Sequence, residues 1–265
     1  MPKLSSHLGH VAAEVKAFVA ERASLSRLRA VAAHALDTVF PPHGFDDGPT
    51  ARQGVGLTAE AWSGIRFVDG EGCDMCARPF EGGLHFSGGA LCTFCEARPF
   101  PFRRTRAACL YGDGSRDIIL RFKHGDRLDL APMLVRWLER AAGDLIHDAD
   151  VIVPVPLHPL RLLKRRYNQA AELARPLARN NRRVFLPDAL KRTRMTAPQG
   201  QKDRRANVRG AFAADGKRLH GRRVLLIDDV MTTGATARAC AETLLAAGAA
   251  SVEVAVLARA VNAEL

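Results

Sequence analysis

Residues 224–249 have the sequence VLLIDDVMTTGATARACAETLLAAGA. An apolar run stops at two adjacent aspartates, Asp228 and Asp229, and a Thr/Gly turn then leads into an alanine-rich segment. The run RRVLLIDD has the pattern of a buried strand, and residues 236–248 have the pattern of a helix that ends at Gly248. A strand followed by a turn and a helix indicates a parallel sheet covered by helices.

The turn between the strand and the helix combines small residues, hydroxyl groups and a glycine that can adopt positive φ. Ligands of open α/β sheets bind at the carboxyl ends of strands. The backbone N–H groups of such a turn can converge on an anion where the next helix begins. The sequence lacks GK[ST] and GxGxxG here, which excludes a nucleotide P-loop and a dinucleotide fingerprint. We therefore expect an anion site at Met231, Thr232, Thr233, Gly234, Ala235 and Thr236.

The two aspartates precede this anion site by only a few residues. Carboxylates repel a phosphate unless a polyol or a cation lies between them. A ribose 5-phosphate removes this conflict, because its phosphate would occupy the turn while its 2- and 3-hydroxyls reach Asp228 and Asp229. The alternative is an acidic loop that binds no ligand.

Two cysteine pairs, CDMC and CTFC, are separated by 15 residues. Four thiolates at this spacing can surround Zn²⁺ at about 2.3 Å, and the metal then stabilises a segment too short to have a core. A redox CxxC is the alternative, but four ligands leave no open position on the metal. We expect one structural zinc on Cys73, Cys76, Cys92 and Cys95.

An upstream segment echoes the cysteine pairs. LTAEAWSGI, residues 57–65, is similar to LCTFCEARP, and HGFDDGPT, residues 43–50, is similar to CDMCARPF. If these are repeats, the ligand positions of the first copy hold residues that no longer form a zinc site: His43, Asp46, Thr58 and Ala61. The alternative is chance similarity between short segments.

Positive charge is concentrated in the C-terminal part of the chain. Residues 1–100 contain 9 Lys/Arg and 11 Asp/Glu, whereas residues 161–223 contain 19 basic and 4 acidic side chains. Such a segment can follow a nucleic-acid backbone. Few aromatic residues lie in it, namely Tyr167, Phe185 and Phe212, so base stacking is weakly supported. A solvated charged surface is the alternative.

Apolar spacing organises the rest of the chain. The N-terminal segment, residues 1–40, predicts one or two amphipathic helices that stop at Pro41. Further predictions are a basic connector at 103–106, helices at about 115–123, 129–142 and 167–179, and strands at 151–156 and 251–259. No export signal and no apolar run of about 20 residues is present, so we expect a cytoplasmic protein without a membrane span.

Four separated blocks carry a family resemblance. VLLIDDVMTTGAT resembles the phosphoribosyl-pyrophosphate motif of type I phosphoribosyltransferases. Together with YGDGSRDIILRFKHGDRLDLAPML, VPVPLHPLRLLKRRYNQAAELA and LKRTRMTAPQGQKDRRANVRGAF, it makes residues 36–258 similar to the ComF (GntX) family. The resemblance implies a double zinc ribbon at residues 41–100, with a degenerate first copy and an intact second copy at 73–95. It also implies a type I phosphoribosyltransferase-like α/β domain at residues 107–265, with a parallel sheet flanked by helices.

The same resemblance implies a chemistry. The loop after the first core strand would hold pyrophosphate through Arg161, Lys164, Arg165 and Arg166, and a loop at about 191–209, with Arg204 and Arg205, would cover the site. A nucleophile would displace pyrophosphate from C1 of the ribose, with Mg²⁺ on the pyrophosphate and ribose oxygens. Asp228 and Asp229 would be the catalytic pair that orients the ribose and stabilises positive charge at C1. No residue specifies the acceptor.

The family's association with DNA uptake implies a second function. The protein would be a non-catalytic accessory that binds single-stranded DNA through residues 161–223, and a helicase of the uptake machinery would be a partner. The two functions are not exclusive, because a phosphoribosyl pocket and a basic surface can coexist in one domain.

Overall fold

The computed structural model describes residues 57, 59–68, 72–80, 89–124, 127–157, 167–193 and 210–261. Contacts divide the chain into a unit of residues 1–58 and a unit of residues 59–265, and the description below concerns the second. Several predicted features lie outside the described residues: the N-terminal helix at 1–40, the echo positions His43, Asp46 and Thr58, and the basic residues Arg161, Lys164, Arg165, Arg166, Arg204 and Arg205.

A five-stranded parallel sheet forms the centre of the fold, in the order β1-β7-β6-β2-β3. Its strands are β1 (Thr105–Leu110), β2 (Val151–Pro154), β3 (Val184–Phe185), β6 (Arg223–Met231) and β7 (Ser251–Arg259). A separate antiparallel pair consists of β4 (Leu190–Arg192) and β5 (Phe212–Ala214). The α/β fold with a parallel sheet, as predicted, is confirmed.

Helices cover this sheet. They are α1 (Ala59–Ser63), α2 (Thr93–Ala97), α3 (Asp113–His124), α4 (Ala131–Asp148), α5 (Gln169–Asn180), α6 (Gly216–Leu219) and α7 (Ala235–Ala246), with a 3₁₀ turn at Leu128–Leu130. Helix α4 contacts β1 and β7, α5 contacts β2 and β6, and α7 contacts β6 and β7. Within the described ranges, none of the helices has the length and apolar character needed to cross a membrane.

Two helices differ from their predicted bounds for local reasons. Helix α4 continues past the predicted end at 142 because the chain absorbs a kink at Ala142 (φ −119°) and then resumes its helical course. Helix α5 begins at Gln169, two residues later than predicted, because Asn168 has extended backbone and its side chain accepts a hydrogen bond from the N–H of Ala170.

The segment predicted as a basic connector, residues 103–106, leads into strand β1, which begins at Thr105, so the prediction was wrong for its second half. Arg104 lies within ion-pair distance of Glu253, Asp148 and Asp144, and Arg106 pairs with Asp74 and Asp144. These arginines fasten β1 to β7 and to helix α4, because partly buried guanidinium groups are stabilised by several carboxylates at once. Their charge is therefore neutralised within the protein.

The cysteine segment is part of the same hydrophobic core as the sheet. Cys73, Cys76 and Cys95 are buried in a cluster that contains β7 side chains such as Val254 and α7 side chains such as Cys240. Phe100 and Phe102, which follow the second cysteine pair, are buried in the same cluster and stack with ring centroids 4.7 Å apart. The cysteine segment thus packs on the sheet and is not an independent appendage.

Candidate functional site

The acid pair lies near the carboxyl end of β6, where the connections of the sheet diverge. Strand β2 leads to β3 on one side of the pair β2/β6, whereas β6 leads to β7 on the other side. Such a switch in strand order opens a crevice at the carboxyl ends of the two strands, and ligands of open α/β sheets bind there. Asp228 follows Ile227, whose partner on β2 is Pro154, so the acid pair borders this crevice.

Both carboxylates accept backbone hydrogen bonds and lie beside one cation. The N–H of Asp229 donates to Asp228 Oδ1 at 2.9 Å, and the N–H of Val230 donates to Asp229 Oδ1 at 2.6 Å. Lys123 Nζ, at the end of α3, lies 3.2 Å from Asp229 Oδ2. Desolvation raises the pKa of Asp228 to about 7, with a further contribution from the charge of Asp229. The raised pKa of Asp228 shows that the ionised acid pair is electrostatically unfavourable, as is common at functional sites.

The turn after the aspartates has the conformation that the sequence predicts. Gly234 has φ 73° and precedes the first residue of α7, whose first helical bond runs from the N–H of Arg238 to the Gly234 carbonyl. A Cβ on Gly234 would lie 2.7 Å from Phe100 Cε1 and 2.8 Å from Met231 Cε. Only glycine satisfies both the positive φ and this close packing. The first N–H groups of α7 have no partners within the helix, which makes its start suited to an anion.

A hydrogen-bonded motif, Tyr167-Asn168-Gln169, supports the opposite side of the crevice. The Tyr167 hydroxyl donates to the Phe122 carbonyl at 2.6 Å, and Gln169 Nε2 donates to the Lys123 carbonyl at 3.0 Å. Asn168 Nδ2 donates to the Val155 carbonyl at 3.1 Å, just after β2. These bonds fix the end of α3, and with it Lys123, next to the acid pair.

A cavity of about 390 Å³ adjoins the turn. Thr233 and Ala235 line one side, and Phe94 and Arg98 of the cysteine segment line another. Phe100 also borders this cavity, but its ring is stacked on Phe102 and covered by the Arg238 guanidinium, 4.5 Å from the ring centroid. The Phe100 ring is therefore buried against these groups and does not offer a stacking surface for a base.

The four predicted metal ligands, Cys73, Cys76, Cys92 and Cys95, lie together, with all sulfur atoms within 4.8 Å of one another. The Sγ atoms of Cys76 and Cys92 are 3.8 Å apart, which is too far for a disulfide. A tetrahedron with metal–sulfur bonds of about 2.3 Å has edges of about 3.8 Å, so the spacing fits a metal ion bound by four thiolates. Burial raises the pKa of Cys95 to about 12, a cost that a bound cation removes.

The first cysteine pair is fastened to β1. The Thr105 hydroxyl donates to the Met75 carbonyl at 2.7 Å, and the Thr105 N–H donates to the Asp74 carbonyl at 2.8 Å. The Asp74 N–H in turn donates to the Ala90 carbonyl at 2.9 Å, which joins the two cysteine segments. The cysteine cluster is thus held by strand β1 on one side and by its own second cysteine pair on the other.

The structure brings together the predicted acid pair and turn at one site and the four cysteines at another. Of the covering loop predicted at 191–209, Lys191 and Arg192 instead belong to strand β4, and the Arg192 guanidinium lies 5.4 Å from the centroid of the Phe212 ring on β5. Lys123 and Arg259 also contact the site, and neither was predicted from the sequence. An arginine that ends an apolar strand was the available signal for Arg259.

Comparison with known proteins agrees with this architecture. The family profile described as "Phosphoribosyl transferase domain" matches residues 138–264. DNA utilization protein YhgH of Escherichia coli strain K12 is 33% identical over 178 residues, which cover 63% of this chain and 77% of that protein. Competence protein F of Haemophilus influenzae is 31% identical over 217 residues, which cover 68% of this chain and 95% of that protein.

A third relative is similar over a comparable share of the chain. Competence protein ComFC of Bacillus subtilis strain 168 is 27% identical over 196 residues, which cover 71% of this chain and 78% of that protein. The similarity to the first two proteins exceeds 30% identity over most of their length, and the matched profile covers the strand, acid pair and turn described above. The chain therefore belongs to the ComF family of phosphoribosyltransferase-domain proteins.

Proposed function

We propose that this protein binds phosphoribosyl pyrophosphate, or a related ribose 5-phosphate ester, at the carboxyl end of β6. One observation carries the proposal: a half-buried acid pair directly precedes a glycine turn that starts a helix, in the crevice where the strand order switches. A carboxylate whose pKa is raised by desolvation and by a second carboxylate is costly to the fold. Sugar hydroxyls that donate to Asp228 and Asp229 offset this cost.

Each part of the site has a role in this proposal. Asp228 and Asp229 accept hydrogen bonds from the 2- and 3-hydroxyls of the ribose. The 5-phosphate binds to the backbone N–H groups of residues 232–236 at the start of α7. Lys123, which is 3.2 Å from Asp229, supplies a cation near the pyrophosphate group, and Arg161, Lys164, Arg165 and Arg166 are its further proposed partners.

Transfer of the phosphoribosyl group is the reaction that such a site supports. The bond from C1 to the pyrophosphate oxygen breaks and a bond from C1 to the acceptor forms, while pyrophosphate leaves with the electron pair. Asp228 and Asp229 hold the ribose and stabilise the positive charge that develops at C1. Bound Mg²⁺ would neutralise charge on the leaving pyrophosphate.

Ligand-dependent melting tests the proposal. Mg²⁺ with phosphoribosyl pyrophosphate should raise the melting temperature of the wild type, because a ligand at 100 times its Kd adds about 2.7 kcal/mol to stability. The double variant Asp228→Asn/Asp229→Asn should show little or no rise, and Asp188→Asn, an exposed aspartate outside the crevice, should behave as the wild type. An equal rise in the wild type and the double variant would rule out this location.

We also propose that the cysteine cluster holds one structural zinc ion. The four buried or half-buried thiols, their spacing and the absence of an open coordination position support a structural role. Elemental analysis of the purified chain should give about one zinc per molecule, and Cys95→Ser should reduce this content and destabilise the fold, because the metal contributes folding free energy. Two zinc ions per chain would show that the first ribbon still binds metal.

A second candidate function is binding of single-stranded DNA by the basic region 161–223. Eight of its ten described basic residues are exposed: Arg175, Arg179, Arg182, Lys191, Lys217, Arg218, Arg222 and Arg223. The names of the relatives, DNA utilization protein and competence protein, point to the same class of ligand. We propose that the protein is linked to DNA uptake, with single-stranded DNA and a helicase of the uptake machinery as partners. Such binding requires no turnover of a sugar ligand.

A further inference from the structure

Arg259, the last residue of β7, lies completely buried between the cysteine cluster and the turn at residues 231–236. Its Nε donates to the carbonyl of Cys76 at 2.8 Å. Its Nη1 donates to the carbonyls of Met231 at 3.1 Å and Thr232 at 2.5 Å, and also to the carbonyl of Ala260. One guanidinium group therefore bonds to a metal-ligand position and to the first two residues of the turn.

Burial of the charged Arg259 guanidinium group destabilises the fold, because the group loses its hydration. A charged group removed from water loses hydration free energy, and neutral carbonyl groups restore only part of that loss. No salt bridge joins the Arg259 guanidinium to a carboxylate in the described part of the chain, and its Nη2 is buried without a partner there. Arg259 thus lacks the carboxylate partners that stabilise Arg104 at the other end of the sheet.

The direction of the bonded carbonyls fixes the direction of the neighbouring N–H groups. A trans peptide unit is planar, and its C=O and N–H groups point in opposite directions. Because the carbonyls of Met231 and Thr232 point towards Arg259, the N–H groups of Thr232 and Thr233 point away from it. The Met231 carbonyl also accepts from the Ala260 N–H at 3.0 Å, so Arg259 and the strand ladder together orient the Thr232 N–H. The bond from Arg259 to the Thr232 carbonyl orients the Thr233 N–H.

We infer that Arg259 is a positioning residue that orients the N–H groups of Thr232 and Thr233 for a phosphate ester and couples this site to the metal cluster through Cys76. The inference rests on the proposed phosphoribosyl site. Metal and ligand then stabilise one shared arrangement of the guanidinium group. By linkage, each increases the affinity of the protein for the other.

Nuclear magnetic resonance of the full zinc-loaded chain tests the orientation without any ligand. The amide signals of Thr232 and Thr233 should shift in Arg259→Lys, because an ammonium group cannot bond to Cys76 and to the turn in the geometry of the guanidinium fork. Arg104→Lys, a matched change in an arginine network at the other end of the sheet, should leave these signals in place. Unchanged Thr232 and Thr233 signals in Arg259→Lys would overturn the inference.

Removal of zinc from the wild type should shift the amide signals of Thr232 and Thr233. In Arg259→Lys, removal of zinc should cause little further shift of these two signals. Equal effects of zinc removal in both proteins would show that the coupling does not pass through Arg259. The wild-type arm requires no substitution, so it decides the question even if Arg259→Lys does not fold: signals that stay in place on zinc removal would overturn the inference.

Calorimetric titration with phosphoribosyl pyrophosphate and Mg²⁺ separates this inference from the proposed function. With zinc bound, we expect Arg259→Lys to bind on the order of tenfold more weakly than the wild type and Arg104→Lys to match the wild type. Affinity of Arg259→Lys equal to that of the wild type would overturn the positioning role. Failure of the wild type itself to bind would refute the proposed ligand, while the amide signals would still decide the role of Arg259.

Discussion

Asp228 is the residue at which function and stability oppose each other most directly. Its carboxylate is desolvated at the end of a central strand, and the neighbouring Asp229 carries a second negative charge. Lys123 lowers this cost only in part, because it lies next to Asp229 and contributes less to the pKa of Asp228 than desolvation does. Without a functional requirement, an uncharged residue would be more stable at this position.

This conflict predicts a pH-dependent stabilisation in Asp228→Asn. The pKa of Asp228 is about 7 in the folded state against about 3.9 in the unfolded chain, so the wild type loses stability as the pH rises from about 4 to about 7. Asparagine does not titrate. The free energy of unfolding of Asp228→Asn relative to the wild type should therefore increase by about 2 kcal/mol from pH 5.5 to pH 8, which raises its relative melting temperature by on the order of 5 °C.

Asp150→Asn is the control for this measurement. Hydrogen bonds from Arg223 lower the pKa of Asp150 to about 2, so this carboxylate is ionised in both states over the same range of pH. Its substitution should change the melting temperature by an amount that does not depend on pH. A constant difference between Asp228→Asn and the wild type would show that the Asp228 carboxylate is not perturbed in solution.

At the level of elements, the C-terminal strand–helix–strand unit was the most predictable part of the fold. The apolar runs at 224–227 and 254–258 are bounded by charged residues on both sides, and the predicted strand at 251–259 has the bounds of β7. Strand β1 was missed because Arg104, which precedes it, and Arg106, its second residue, give this stretch the composition of a loop. Those charges are tolerated because acids distant in sequence pair with them, which no local pattern reveals.

The candidate site also has one part that could be predicted from the sequence and one part that could not. The acid pair, the glycine turn and the cysteine pairs are contiguous motifs, and their chemistry could be inferred from residue types and spacing. Lys123 and Arg259 reach the site from elements more distant in sequence, since Lys123 meets Asp229 only after α3 packs near the end of β6. The five-residue helices α1 and α2 occupy matching places in the two echoed segments, which supports the hypothesis of a degenerate first ribbon.

The end of helix α3 carries a prediction at this scale. The hydrogen bond from the Tyr167 hydroxyl to the Phe122 carbonyl holds the turn of helix that bears Lys123. Tyr167→Phe should cost about 1 kcal/mol of stability and should weaken binding of phosphoribosyl pyrophosphate several-fold, because a neutral hydrogen bond contributes about this much. Melting curves and calorimetric titration measure the two effects.

Tyr111→Phe provides the matched control, since the chain has two tyrosines and no hydrogen bond joins the Tyr111 hydroxyl to any residue in the described ranges. We expect this variant to bind the ligand as the wild type does. Tyr167→Phe with wild-type affinity would contradict a role of this bond in placing Lys123.

At the scale of the whole molecule, the fold brings together the cysteine segment and the turn after β6, which are far apart in the sequence. The cysteine cluster shares a hydrophobic core with β7 and α7, and Phe100 from the segment after the second cysteine pair packs against Gly234 in the phosphate turn. A change at the cysteine cluster therefore reaches the proposed phosphoribosyl site through direct contacts. Ion pairs neutralise Arg104 and Arg106, so the positive charge available to a large anionic partner lies mainly in residues 161–223.

This charge distribution predicts how the proposed binding of single-stranded DNA depends on salt. Affinity, measured by fluorescence anisotropy, should fall steeply with salt, with a slope of log K against log salt of about −0.7 for each phosphate contacted. Arg204→Gln/Arg205→Gln removes two of the basic residues and should reduce the magnitude of this slope by roughly 1.4, because about two fewer counterions are released. Arg66→Gln, an exposed charge outside the basic region, should leave the slope unchanged. Binding that does not depend on salt, or an equal slope in all three proteins, would exclude the basic region as the DNA-binding surface.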